Sequence, residues 1–325
     1  SGVSWANKVR ITAYAGETVW LIPTSPTPGQ AIIWLDGNFS YIEFDGLNLD
    51  GRSSNQFGLW VSPNNFNNPH HIRIQNGTVI AGAQGANAAV TFGAHTVIGS
   101  VGGNEAINMI LTGGGLPGGC GFACSSYGVY VSGPNNLVEN CDIYDTSGAG
   151  IQIYNSSGDA PDNNIVRNNK IHDISRYGGE SGQVWGVIVA QGNNNQVYNN
   201  VIYNVSAGGF GEGIAVAGTN TKVWNNTIYN IQQYGIHTGS SASGTEIRNN
   251  ISYQMPSPYV NEGSGTIHTN NLEGVNPLFI TLGSNFHLQA GSPARNAGIA
   301  VAQVTTDKDG VVRSNPPDIG AYQYV

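Results

Sequence analysis

Apolar and polar residues alternate in short runs along most of the chain, and the runs recur. Val138-Glu139-Asn140-Cys141-Asp142-Ile143-Tyr144 returns as Val166-Arg167-Asn168-Asn169-Lys170-Ile171-His172. It returns again from Val197, from Val223 and, less closely, from Ile247. A second phrase precedes each copy: Gly128-Val129-Tyr130-Val131, then the same pattern from Gly150, Gly186, Gly213 and Gly235. Those glycines are spaced 22, 36, 27 and 22 residues apart, so the base period reads as 22 with extra residues looped out twice. Weaker copies lie near Ile42 and Ile72.

A period of two within each phrase predicts strands, with Val and Ile on one face and Tyr, Gln, Arg or His on the other. Repetition of a short strand set every 22 residues or so is the mark of a solenoid. Asn suits the turns because it tolerates the left-handed backbone region. The recurring Asn140, Asn168, Asn199, Asn225 and Asn249 are expected to stack as an internal ladder of amides. About ten coils at about 4.8 Å each predict a rod roughly 50 Å long. Residues 1–37 read as N-terminal cap coils, 38–272 as central coils and 273–325 as a closing segment, all in one domain. Glu139 with Arg167 and Asp142 with Lys170 occupy equivalent positions on adjacent coils and read as salt bridges between coils.

Composition narrows the chemistry. The 325 residues include 46 Gly and 39 Asn, only 10% are charged, and the formal net charge is −8. So few charges exclude a disordered polyelectrolyte. Twelve basic residues against 20 acidic ones argue against nucleic acid or an anionic membrane as partner. No apolar run approaches the roughly 18 residues of a membrane-spanning helix. Three cysteines, Cys120, Cys124 and Cys141, leave at least one thiol unpaired; Cys120 and Cys124 either close a small loop or remain free. No spacing at these cysteines suits zinc, and no motif calls for an organic cofactor. The chain opens at Ser1 without an initiator Met, which reads as a processed or trimmed terminus.

The Asn-Asn-x-Ile-Tyr-Asn and Gly-Ile-x-Val phrases resemble the coils of the pectate-lyase-like superfamily, over about residues 38–272. The closing stretches from Ser292 to Gly298 and from Pro317 to Tyr324 resemble the ends of many secreted bacterial members. The resemblance implies an all-β fold, a right-handed parallel β-helix, and a secreted, extracellular or cell-surface location. It is weak for function, because that superfamily holds lyases, hydrolases, epimerases and adhesins. The Asp-Pro-His phrase of alginate epimerases and the Asn-Thr-Asp phrase of polygalacturonases are missing here.

Function is expected where the repeat is broken. Residues 155–163, 175–183 and 255–263 read as lengthened turns flanking the stacked Gly-Ile-x-Val strands. Those strands would floor a groove for a polysaccharide, presenting Tyr130, Gln152 with Tyr154, Ile188, Ala215 and His237 one coil after another. The walls would add Asp159, Asp162, Arg176, Tyr177, Glu180, Glu212, Tyr234 and Glu262. Aromatic rings beside amides and carboxylates suit a sugar, which has apolar faces and hydroxylated edges. Tyr130, Gln152, Tyr154, Tyr177 and Tyr234 are therefore the expected substrate contacts. Eliminative cleavage of a uronate needs a base, for which Arg176 or His237 is available. The resemblance implies calcium beside such a base, with Asp159, Asp162, Glu180 and Glu212 as oxygen ligands. Hydrolysis would instead use paired carboxyls, Glu180 and Glu212. A non-catalytic surface or filament protein is the third reading. It rests on the outward rows Tyr144, Tyr203, Tyr229, Tyr253 and Tyr198, Trp224, which otherwise serve as wall packing.

Overall fold

The computed structural model describes residues 1–24, 31–52, 57–62, 67–82, 88–93, 102–113, 126–155, 160–175, 183–206 and 210–325. Its strands stack into three long parallel sheets of ten, ten and nine members. The first sheet runs from Val9–Thr12 to Ile267–Thr269, and the second from Val19–Leu21 to Leu272–Glu273. The third, which carries the Gly-Ile-x-Val phrases, runs from Ala31–Leu35 to Ser257–Asn261. Within these sheets each strand pairs in parallel with its equivalent on the adjacent coil, as in Val138 with Val166 and Val166 with Val197. This is the parallel β-helix that the repeat predicts.

Inward positions form one continuous aliphatic column, including Leu59, Val90, Val129, Ile151, Val187, Ile214 and Ile236, all fully buried. Each coil contributes a few Val or Ile side chains, and full burial of one is worth about 1.5–3 kcal/mol. Backbone amides at the corners are satisfied by asparagine. Asn200 Oδ1 accepts the backbone N–H of Asn169 at 3.0 Å, and Asn226 Oδ1 accepts that of Asn200 at 3.0 Å. Asn250 and Asn271 continue this ladder, and Asn104, Asn136, Asn164 and Asn195 form a second one.

The ladder is one residue later than the sequence pattern suggests. Asn140, Asn168, Asn199, Asn225 and Asn249 are the turn residues themselves, with φ between 50° and 59°. Their followers Asn169, Asn200, Asn226 and Asn250 point inward and carry the ladder. In an Asn-Asn pair the first member bends the chain and the second satisfies it. The coil length is not a fixed 22 residues. Ladder partners are separated by 28, 31, 26, 24 and 21 residues along the chain.

The predicted inter-coil ion pairs form, Arg167 Nε to Glu139 at 2.8 Å and Lys170 to Asp142 at 3.2 Å. The closing segment folds back along the rod. Phe279 and Phe286, on an antiparallel pair of strands, pack against Tyr203 and Tyr229. Val301 and Val304 pack against Tyr198 and Trp224. These rings are 4–8% exposed, so the aromatic rows lie inside the molecule along this stretch and lend no support to a filament surface. Asp307, nearly fully buried, accepts the backbone N–H groups of Asp309, Val311 and Gln323 and so holds a turn of the closing segment.

Candidate functional site

The outward row of the third sheet is continuous. Thr91, Tyr130, Gln152, Ile188, Ala215, His237 and Val260 are in register, one per coil. A second row, three residues earlier, runs Tyr127, Ala149, Trp185, Glu212, Tyr234 and Ser257. A three-residue offset on one face breaks strict alternation, and the repeating glycine is the break. A Cβ on Gly213 would lie 2.5 Å from the carbonyl oxygen of Gly235 and 2.6 Å from the Ile228 side chain. Gly213 therefore faces the core, and so does the fully buried Ile214. Two successive inward residues turn Glu212 outward, although alternation counted back from Ile214 would put it in the core.

Glu212 and His237 meet across one coil spacing. His237 Nδ1 lies 3.2 Å from Glu212 Oε2, and Nε2 lies 3.8 Å from Glu262 Oε2. The Tyr234 ring meets the imidazole edge to face with centroids 5.1 Å apart. Glu212 sits between the in-register Trp185 and Tyr234 and is only 1% exposed. A buried carboxylate is costly unless paired, and His237 is its partner. The hydrogen bond that His237 donates to Glu212, with the charge of Glu212 and Glu262, raises the His237 pKa above its usual 6.5, although burial opposes the shift. Glu212 Oε1 and His237 Nε2 are shielded from solvent and have no hydrogen-bond partner. An orphaned acceptor and an orphaned ring nitrogen side by side are costly for stability alone.

The other expected site residues are dispersed. Tyr130 stands in the row, but its side chain is 2% exposed beside the Tyr127 ring, so it offers no open face to a sugar. Gln152 and Tyr154 are half-buried. Asp162 lies in the turn beyond Ala149–Ile153, where its Oδ1 accepts the Asn193 backbone N–H at 2.7 Å. Arg176, Tyr177, Glu180, Asp159, Cys120 and Cys124 lie outside the described residues. Cys141 is a free thiol in the core, and burial raises its pKa to about 12. The expected loop at 255–263 is a strand, Ser257–Asn261, the ninth of the third sheet. Pro258 hid it, and it is tolerated because this strand is the sheet's edge. Among the described residues, no three His, Cys, Asp or Glu side chains converge as a metal would require. Asp162 and Glu212, the described members of the expected calcium set, contact Asn193 and His237.

Residues 30–272 match the family model described as the right handed beta helix region. The chain belongs to that family. The β-helix is thus right-handed, as expected. Among solved structures it is similar to pectate lyase Pel9A, at 17% identity over 98% of this chain and 86% of that one, with a TM-score of 0.56. It is also similar to ORF18 of Geobacillus virus E2, at 14% identity over 82% of this chain and 48% of that one, with a TM-score of 0.55. A search of curated proteins returned no match. Likenesses this distant establish the β-helix, and the chemistry has to come from the residues.

Proposed function

We propose that this protein is a secreted polysaccharide-active enzyme that cleaves a uronic-acid-containing polymer by β-elimination, with His237 as the base. The observation that carries the reading is the Glu212–His237 pair. When His237 donates its Nδ1–H to Glu212, the neutral tautomer leaves the Nε2 lone pair as the proton acceptor. Glu212 is a positioning residue that fixes the tautomer and strengthens the base. Nε2 would take the proton from C5 of the uronate, a C4–C5 double bond would form, and the C4–oxygen bond would break. The leaving oxygen then needs a proton, and the Tyr234 hydroxyl, on the same strand as His237, is our assignment for its donor. Substrate reaches Nε2 only after a side chain moves, and the 59% exposed Glu262 is the ionic group nearest to it. Small side chains at Ala190, Ala215 and Ala217 leave room for a sugar on the same face. A secreted or surface location belongs to this proposal and rests on the closing-segment resemblance. No step is routed through calcium.

The test is release of unsaturated, ultraviolet-absorbing product from a panel of uronate polymers, first with calcium and then with chelator. His237→Ala should cost roughly 10²- to 10⁴-fold in rate, the usual worth of a general base. Full activity in that variant would sink the assignment. New reducing ends without unsaturated product would point to hydrolysis by paired carboxyls. Loss of product in chelator alone would bring calcium into the mechanism.

A further inference from the structure

The reacting nitrogen of His237 is sealed from water, yet a proton taken there has to leave before the next turnover. Nε2 is buried and has no hydrogen-bond partner. On the Nδ1 side stands Glu212, 1% exposed, so a proton passed that way stays inside the wall. On the Nε2 side stands Glu262, with Oε2 at 3.8 Å and a side chain 59% exposed. Among the described residues these two are the acidic groups within 4 Å of the imidazole, and of the two Glu262 reaches bulk water.

The backbone fixes where that carboxylate hangs. The Glu262 N–H donates to the Thr238 carbonyl at 2.8 Å, which sets Glu262 beside Gly239 of the preceding coil. Asn261, one residue earlier, is pinned, because its Oδ1 accepts the Thr238 hydroxyl, the Gly263 N–H at 3.1 Å and the Thr266 hydroxyl at 3.2 Å. The space over Gly239 is open. A Cβ there would meet the Val216 carbonyl oxygen at 3.7 Å, an ordinary contact, and nothing closer. Gly239 is also outside the left-handed region, so neither the turn nor the packing calls for glycine at this position. A pinned backbone beside an open neighbour lets the Glu262 side chain swing between Nε2 and solvent by rotation about its own bonds. Exposed side chains make such rotations in picoseconds to nanoseconds.

We infer that Glu262 is the proton relay of this site, carrying protons between His237 Nε2 and water. Its use in turnover rests on the proposed elimination. Once Nε2 has taken the C5 proton, the swing closes the 3.8 Å gap to hydrogen-bond reach. The Nε2–H bond then breaks as an O–H bond forms on Glu262. The neutral acid turns out over Gly239, gives its proton to water and returns as a carboxylate. Tyr234, having protonated the leaving oxygen, takes a proton back from water, so the site is reset with no net gain or loss. Glu212 stays on Nδ1 throughout. One carboxylate orients the base and the other empties it.

The test is the rate at which His237 interconverts between its neutral and charged forms. It is read by NMR relaxation dispersion in dilute buffer, for wild type and Glu262→Gln, each at its own titration midpoint. The interconversion is expected to slow several-fold in Glu262→Gln and to recover when free imidazole is added as a mobile proton carrier. Equal rates in the two proteins would overturn the relay. In the product-release assay, on the polymer that wild type cleaves, Glu262→Gln is expected to lower kcat several-fold in dilute buffer, with KM little changed and the rate restored by imidazole. A loss carried by KM, or one that imidazole leaves uncorrected, would make Glu262 a substrate contact and overturn the relay. If wild type cleaves no polymer while the interconversion still slows in Glu262→Gln, the elimination falls and the relay stands.

Discussion

The adjacent residues Asn168 and Asn169 are chemically identical and should respond to substitution to very different degrees. Asn169 is fully buried; its Oδ1 accepts the Cys141 backbone N–H at 2.9 Å, and its Nδ2 donates to the Val138 carbonyl and to Asn200, both at 3.0 Å. Asn169→Ala strands the Cys141 N–H in a dry corner, which costs about 1–3 kcal/mol, and removes two further bonds worth about 1 kcal/mol each. The expected loss is about 3–5 kcal/mol. Asn168 instead sits at φ 59°, with its Oδ1 unpartnered and its Nδ2 only 3.4 Å from Glu139. Asn168→Ala therefore pays mainly the left-handed backbone penalty, about 1–2 kcal/mol. Asn168→Gly should recover most of it, less the entropy of a freer unfolded chain. The assay is urea unfolding followed by both tryptophan fluorescence and far-ultraviolet circular dichroism, to establish that each variant unfolds in one step. If Asn168→Ala costs as much as Asn169→Ala, or if glycine at 168 rescues nothing, the division of labour within the Asn-Asn pair is wrong.

The site and the closing segment give three more expectations. Glu212→Gln removes the largest cause of the raised His237 pKa and leaves the burial that lowers it, so the histidine's NMR titration midpoint should fall. Because the folded pKa lies above the unfolded one, the stabilisation from this pair is complete below about pH 6.5 and fades as pH rises through the folded value. The rate, which needs neutral His237, should instead rise through that value, and in Glu212→Gln the rising limb should move to lower pH. Gly213→Ala forces a Cβ against the Gly235 carbonyl at 2.5 Å. It should cost about 1–3 kcal/mol and misplace Glu212, so thermal stability and the His237 titration should change together. Phe286→Ala opens the packing over Tyr203 and Tyr229 and should cost about 3–5 kcal/mol, with glycan binding unchanged when measured well below the unfolding temperature.

What the sequence made legible was whatever a period could encode. Inward Val and Ile positions, the outward row through Gln152 and His237, and the Glu139–Arg167 and Asp142–Lys170 pairs follow from one strand repeated in register. Where two residues of one type stand together, periodicity assigns them to a corner but not to their roles. Asn168 and Asn169 were separable only by backbone angle. Pro258 made a strand look like a loop because edge position is a property of the stack, invisible in a single coil. The Tyr203 and Trp224 rows looked exposed because their cover comes from residues some eighty positions later, which share no period with them. The same reasoning explains why His237 could be found and its partner's role could not. A histidine in place of Ala215 or Ile188 breaks the repeat in a visible row, whereas Glu212 enters the site through an irregularity that every copy shares. The glycine that marks the repeat is thus also what turns a carboxylate out of the core. In the other coils that turned-out position holds Tyr127, Ala149, Trp185 and Tyr234, so the scaffold supplies the position on each coil and this chain places its buried acid on one of them.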